Sequence, residues 1–279
     1  MPLDKNIIFK LSHRKKPLIL ITNDDGVSSL GIKTLAKTMK KVGNVLVVAP
    51  AVEQSASSHS LTLYRPLRCK RLANNVYAVD GTPTDCINLA MNFIVRDHPP
   101  DLIFSGINRG PNMGDDVHYS GTVSAAIEGG VMGIPSVAIS VAGSLAHAFA
   151  GRPGFKFKAA ANFAARVARK ILRQKLPSGI ILNINVPNIP QNKIKGCKVT
   201  FQGKKNYSDI TTEKLDPRGE RYYWISGIEA GFDDIPGSDC NAVAEGLISI
   251  TPIRVNLTDL GYLKKVEKWK WGRNRGRKI

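Results

Sequence analysis

The chain has 279 residues, 43% hydrophobic and 22% charged, with 40 Lys and Arg against 22 Asp and Glu for a net charge of +18. The apolar fraction excludes a wholly disordered chain, and the length suits one domain of roughly 250 residues with extensions, or two small domains. The longest apolar runs, such as Leu18–Ile21 and Val45–Ala49, fall far short of the ~20 residues of a membrane span, and Met1–Lys16 lacks the apolar segment of a signal peptide, so a soluble, intracellular protein with no membrane partner is expected.

Met1–Lys16 carries five basic residues and one acid, and reads as a basic N-terminal extension. Leu18–Thr22 is a short β-rich run of the kind buried on both faces of a sheet. After the break Asn23–Gly26, apolar Leu30, Leu35, Ala36 and Met39 predict a helix over Ser29–Lys41. Val45–Ala49 is the next strand, stopped by Pro50, and Leu61–Leu63, Leu67–Cys69 and Val76–Val79 read as short strands, antiparallel additions around turns. Thr84–Val95 is helical with Pro83 in its first turn. Leu102–Ser105 is a strand, followed by a Gly-rich loop to Tyr119. Thr122–Met132 is a helix of small residues, Ser136–Val141 a strand, Phe155–Arg173 a long amphipathic helix, and Ile180–Val186 a strand closed by Pro187.

This alternation predicts an α/β fold, a Rossmann-like three-layer sandwich with a mostly parallel sheet. From Lys193 onward the pattern changes: Val199–Gln202, Tyr222–Ser226 and Leu247–Pro252 read as strands without long helices between them, a C-terminal β-hairpin excursion and an edge element. The expected organisation is a single domain over residues 17–258, with its core at about 17–190 and the excursion at about 193–252, flanked by an extension at 1–16 and a basic tail at 259–279. Lys264–Lys278 holds eight basic residues and one acid; subtracting both ends leaves +7 for residues 17–263. The basic ends suit contact with nucleic acid or polyphosphate, or are simply solvated. Cys69, Cys86, Cys197 and Cys240 form no C-x-x-C pair, which points to thiols in a reducing cytosol rather than to disulfides or zinc.

In an open α/β sheet, ligands bind beyond the carboxyl ends of the strands. Three polar segments sit there: Asn23–Gly26, Ala51–Ser60 and Gly106–Ser120. Adjacent carboxylates at Asp24 and Asp25 repel unless a cation or strong donors lie between them, and paired oxygen ligands suit Mg²⁺ or Mn²⁺. Turn and helix-capping duty is the other reading of the pair. Glu53–Ser60 could supply hydroxyl ligands, although Ser57 and Ser58 taken singly read as ordinary loop residues. Ser105–Gly114 holds three glycines and two asparagines, Asn108 and Asn112, a composition suited to close backbone approach to a ligand. Asn108 offers a neutral oxygen to a hard cation. Ser120-Gly-Thr122 opens a helix whose amino end favours an anion. A cation site facing an anion hole suits phosphate-ester hydrolysis. No G-x-G-x-x-G follows the first strand, and neither a P-loop nor a G-x-S-x-G elbow is present. An aspartyl-phosphate enzyme would have Asp where Asn23 stands, so water is the expected nucleophile. His59 and His118 are candidate proton donors on rim loops, and Gly81–Asp85 reads as a helix cap.

Ile21–Gly26, Ala49-Pro50 with Gln54-Ser-Ala56 and His59-Ser60, Gly81–Cys86, Ser105–Gly114 and Ser120–Ser124 together resemble the SurE family, over about Leu18 to Pro252. The resemblance implies a Rossmann-like core whose C-terminal excursion can be exchanged between subunits, giving homodimers or homotetramers in the cytoplasm. It implies one divalent metal ion per subunit, Mg²⁺ or Mn²⁺, at the positions of Asp24, Asp25, Ser55 and Asn108. It also implies hydrolysis of nucleoside 5′- and 3′-monophosphates, sometimes with polyphosphate cleavage. Asp24, Asp25 and Asn108 are then the expected catalytic residues, with Ser120, Gly121, Thr122, His59 and Asn112 the expected phosphate and substrate contacts. The alternative is a nucleotide- or RNA-binding module without turnover, using the rim and the basic tail.

Overall fold

The computed structural model describes residues 16–143, 154–208, 211–225 and 228–269. Most of the basic N-terminal extension, and the basic tail from residue 270 onward, lie outside the described residues.

Among the described residues the central sheet has nine strands. In chain order they are β1 (Leu18–Thr22), β2 (Asn44–Pro50), β3 (Cys69–Ala73), β4 (Val76–Val79), β5 (Leu102–Arg109), β6 (Ser136–Ala142), β7 (Ile180–Pro187), β8 (Cys197–Val199) and β13 (Ile248–Arg254). Their spatial order is β3-β4-β2-β1-β5-β6-β7-β13-β8. Strands β4 through β7 are parallel to one another, whereas β3 and β13 add antiparallel strands at the two sides and β8 runs parallel to β13 at the edge.

Among the described residues the α-helices are α1 (Leu30–Met39), α2 (Pro83–Leu89), α3 (Gly121–Val131), α4 (Phe157–Gln174), α5 (Asp239–Ala244) and α6 (Leu260–Val266). Side chains alternate across a strand, and β1 divides accordingly. Ile19 and Ile21 pack into the core under α1 and α4, while Leu18 and Leu20 pack with Ile87 of α2 and Ala125 of α3. All four are fully buried, which is why β1 reads as an unbroken apolar run. Gly31 lets α1 lie close on the sheet, since a Cβ there would stand 2.0 Å from the Ile107 carbonyl oxygen. Among the described residues, no helix is long and apolar enough to cross a membrane.

The structure departs from the sequence reading at several places. Leu61–Leu63 is not a strand: Asp85 holds Thr62 by its backbone N–H (2.9 Å) and hydroxyl (2.6 Å) against the start of α2. The expected helix over Thr84–Val95 begins at Pro83, behind a Thr82–Asp85 capping box, and changes to a π turn at Ala90–Ile94. The strand expected to end at Ser105 continues to Arg109 across a bulge, because Gly106 pairs Ile139 and Asn108 pairs Ser140, leaving Ile107 unmatched. The edge strand expected at Val199–Gln202 lies at Cys197–Val199. The excursion is built from β9 (Lys205–Ser208) paired with β12 (Ile228–Phe232) and β10 (Thr211–Leu215) paired with β11 (Arg221–Ile225), both antiparallel.

Candidate active site

The chain leaves β1 for β2 on one side, while β5 pairs on the other side of β1. Such a reversal opens a crevice at the carboxyl ends of the two strands. β1 delivers Asp24 and Asp25 into that crevice, and the bulged end of β5 delivers Asn108.

Asp24 is 5% exposed. Its Oδ2 accepts from the Thr122 backbone N–H at 3.0 Å and its Oδ1 from the Thr122 hydroxyl at 2.5 Å. Burial pushes its carboxyl above the usual carboxylate range. Asp25 accepts from the Arg109 N–H at 3.1 Å, with the Arg109 Nε at 4.0 Å. Burial first, and the neighbouring Asp24 charge second, raise Asp25 to about 6. Two adjacent carboxylates are thus desolvated together with one distant guanidinium near them, an arrangement that calls for added positive charge.

The Ala51–Ser60 loop closes a second side. The Gln54 N–H donates to the Asp24 carbonyl at 2.8 Å, and Ser55 Oγ donates to Glu53 at 2.7 Å. Arg109 reaches the same Glu53 at 3.4 Å, tying this loop to the end of β5. Ala56 and Ser58 adopt positive φ (57° and 50°), conformations that cost energy in non-glycine residues and concentrate at functional loops. Ser58 is held by the Tyr119 and His118 carbonyls, at 3.2 and 2.9 Å. Between these anchors the Ser57 hydroxyl is buried with no hydrogen-bond partner among the described residues. It lies against Gly121, where a Cβ would stand 2.7 Å from Ser57 Oγ and 3.0 Å from Asp24 Cβ. An orphaned buried hydroxyl beside a carboxylate is compatible with a polar ligand at this place.

The donor set fits a hard cation. Asp24 and Asp25 carboxylates, the Ser55 hydroxyl and the Asn108 amide are all oxygen donors from the crevice walls. The Asn108 amide nitrogen donates to the Gly110 carbonyl at 3.0 Å, which leaves its oxygen as the end available to a cation. Among the described residues there is no cluster of three or more His, Cys, Asp or Glu with metal-binding geometry. A site at this crevice therefore depends on Ser55 and Asn108 to complete it.

The remaining expected contacts divide. Ser120 caps α3 by accepting from the Val123 N–H at 3.0 Å, and Gly121 stands at the open first turn beside Asp24. Thr122 gives both its N–H and its hydroxyl to Asp24. Asn112 is buried: its amide donates to Ser140 at 2.7 Å, and its backbone bonds Asn183 and Asn185. These bonds tie the Gly-rich loop to the ends of β6 and β7. His59 points its Nε2 at Glu128 of α3, 2.7 Å away, and Asn88 of α2 holds the other Glu128 oxygen at 2.7 Å. The His59 hydrogen bond, outweighing the opposing effect of burial, keeps the Glu128 carboxyl below its ordinary range. His118 lies 3.3 Å from Gln202. Arg109 and Glu128 were outside the expected set; a buried glutamate in a helix of small residues was the available signal for the second.

The contact predicts a stability effect. Glu128→Ala leaves His59 and Asn88 without their shared acceptor, and a loss of about 1–2 kcal/mol in chemical denaturation is expected. Unchanged stability would show that the contact does not anchor the loop.

A family model described as survival protein SurE matches residues 19–209. The chain belongs to the SurE family. Among its SurE relatives, the protein named 5′-nucleotidase SurE from Geotalea uraniireducens (strain Rf4) is 47% identical over 251 residues, covering 90% of this chain and 98% of that protein. The protein of the same name from Geobacter sulfurreducens is also 47% identical, over 90% of this chain and 93% of its own length. The crystal structure of the SurE protein from Aquifex aeolicus superposes with a TM-score of 0.79 at 40% identity, covering 90% of this chain and 98% of that one. The SurE likeness spans the sheet, the crevice and the excursion together.

Proposed function

We propose that this chain is a metal-dependent phosphomonoesterase, a 5′-nucleotidase that also hydrolyses nucleoside 3′-monophosphates and has a polyphosphate-cleaving side activity. The observation that carries the proposal is a pair of adjacent carboxylates at the end of β1: Asp24, buried against the amino end of α3 beside the orphaned Ser57 hydroxyl, and Asp25, half-buried beside Arg109. The nucleotidase names of the relatives support the substrate class.

Asp24, Asp25, Ser55 and Asn108 hold one Mg²⁺ or Mn²⁺ per subunit. When bound, the ion supplies charge neutralisation at the phosphate and lowers the pKa of water. The residues of the chain do the rest. The Gly121 N–H and Ser120 hydroxyl at the start of α3, with the helix dipole behind them, receive phosphate oxygens. Ser57 donates to the same group. Thr122 keeps Asp24 in place through two hydrogen bonds, and the Arg109 N–H does so for Asp25. His59 and Asn112 serve by fixing the two loops that line the crevice. Phosphoryl transfer asks mainly for positioning and electrostatics, which such a fixed polar wall provides.

Cytoplasmic activity as a homodimer or homotetramer completes the proposal. Tyr223 and Ile225, alternate residues of β11 exposed by 57% and 92%, give the excursion an apolar face suited to a second subunit. Phosphate release from a panel of 5′- and 3′-nucleoside monophosphates and polyphosphate tests the substrate class. Release from the 5′-nucleotides is expected to lead; binding without release from any of them would favour the non-catalytic nucleotide- or RNA-binding module instead.

A further inference from the structure

At the end of the sheet away from the crevice lies a cavity of about 360 Å³ that the reaction above does not use. It sits at the amino ends of β5, β6 and β7, between Asp101, Pro135 and Ile180 on one side and the last turn of α4 on the other. Its walls are mostly apolar, with Ile134 and Pro135 facing Ile171, Leu172 and Leu176. Ile171 is buried, whereas Leu172 and Leu176 are only partly covered by the core they pack on.

The chain enters the fold at the rim of this cavity. The Leu18 N–H donates to the Asp101 carboxylate at 2.7 Å, and the Asp101 N–H donates to the Leu18 carbonyl at 2.9 Å. Fifteen residues precede Lys16, the first described residue, and they are not uniformly basic. Ile7-Ile8-Phe9 and Leu11 form an apolar cluster, flanked by Lys5 on one side and Arg14–Lys16 on the other. The family match begins only at residue 19, so the SurE likeness assigns this segment nothing.

We infer that residues 7–11 of this chain's own extension dock in the cavity, with Ile8 and Phe9 against Ile134, Leu172 and Leu176. Reach is not limiting: a flexible linker of the nine residues from Phe9 to Leu18 spans roughly 15–18 Å, and the cavity adjoins Leu18 through Asp101. Tethering presents the segment at an effective concentration near millimolar, so a modest apolar contact is enough to hold it. A free small molecule lacks that advantage, and the volume is at the low end for ligand sites. Docking there keeps the basic residues of the extension at the opposite end of the sheet from the start of α3.

A double-mutant cycle on the full chain tests the contact. Phe9→Ser should lower the thermal midpoint by about 3 °C and speed tryptic cleavage at Arg14 and Lys15 about fivefold. Leu176→Ser also removes packing against the core, so its cleavage rate rather than its midpoint is compared. That rate should rise as in Phe9→Ser, and the double variant should be cleaved no faster than either single one. An unchanged midpoint and cleavage rate in Phe9→Ser, or additive rates in the double variant, would overturn the docking. Protection that grows with protein concentration would give the cavity to the extension of a second copy, and would overturn it as well.

Discussion

Asp24→Asn is expected to lower turnover about 10³-fold while leaving the fold as stable as the wild type, or more so. The kinetic size follows from the several kcal/mol that charge stabilisation by a metal site contributes, at about 1.4 kcal/mol per tenfold. Asn keeps the shape and can still accept from the Thr122 N–H, so the crevice wall stays in place. What it loses is the formal charge that would hold a cation. What it relieves is the burial of that charge, which already pushes the Asp24 carboxyl upward. Activity and metal-free stability should move in opposite directions, as happens where a site is assembled at the expense of the fold. Turnover with saturating Mn²⁺ and thermal midpoints in EDTA measure the two effects. Near-normal turnover, or a variant that fails to fold, would remove Asp24 from the role assigned to it.

The second large effect is on the fold. Gly31→Ala should destabilise the protein by about 2 kcal/mol, although Ala is the better helix former by about 1 kcal/mol. The added Cβ would stand 2.0 Å from the Ile107 carbonyl oxygen and 3.1 Å from its carbon, so α1 and β5 must separate. Overpacking of this kind costs about 1–3 kcal/mol, and a clash with backbone rather than with a side-chain end belongs at the upper limit of that range. The net loss corresponds to a thermal midpoint about 4–8 °C lower. Because Ile107 is the bulge residue beside Asn108, the variant should also bind metal more weakly. A midpoint equal to or above that of the wild type would mean that the helix adjusts without strain.

The core strands were legible because burial on both faces leaves an unbroken apolar run. Leu18–Thr22 and Val76–Val79 coincide with their strands, and the alternation of strand and helix through Val186 carries the parallel sheet. The candidate site is legible where a strand ends in paired carboxylates, as at Asp24-Asp25. It is less so where long-range contacts decide. The Gly106 break hid the continuation of β5 that carries Asn108, because a bulge is set by the neighbouring strand and not by local propensity. Leu61–Leu63 alternates like a strand, yet Asp85 captures Thr62 from 23 residues away. Ser57 alone is an ordinary loop serine; only its burial against Gly121 gives it a role. Likewise the loop position of His59 suggested a proton donor, while its partner Glu128 lies 69 residues further on.

Phosphate release from a nucleoside 5′-monophosphate, followed with Mg²⁺ or Mn²⁺, after EDTA, and after the metal is returned, decides whether the crevice works through a metal. Release with metal, none in EDTA, recovery on re-addition, and no comparable recovery in Asp24→Asn are expected. Undiminished release in EDTA, or wild-type rates from Asp24→Asn, would contradict the metal assignment.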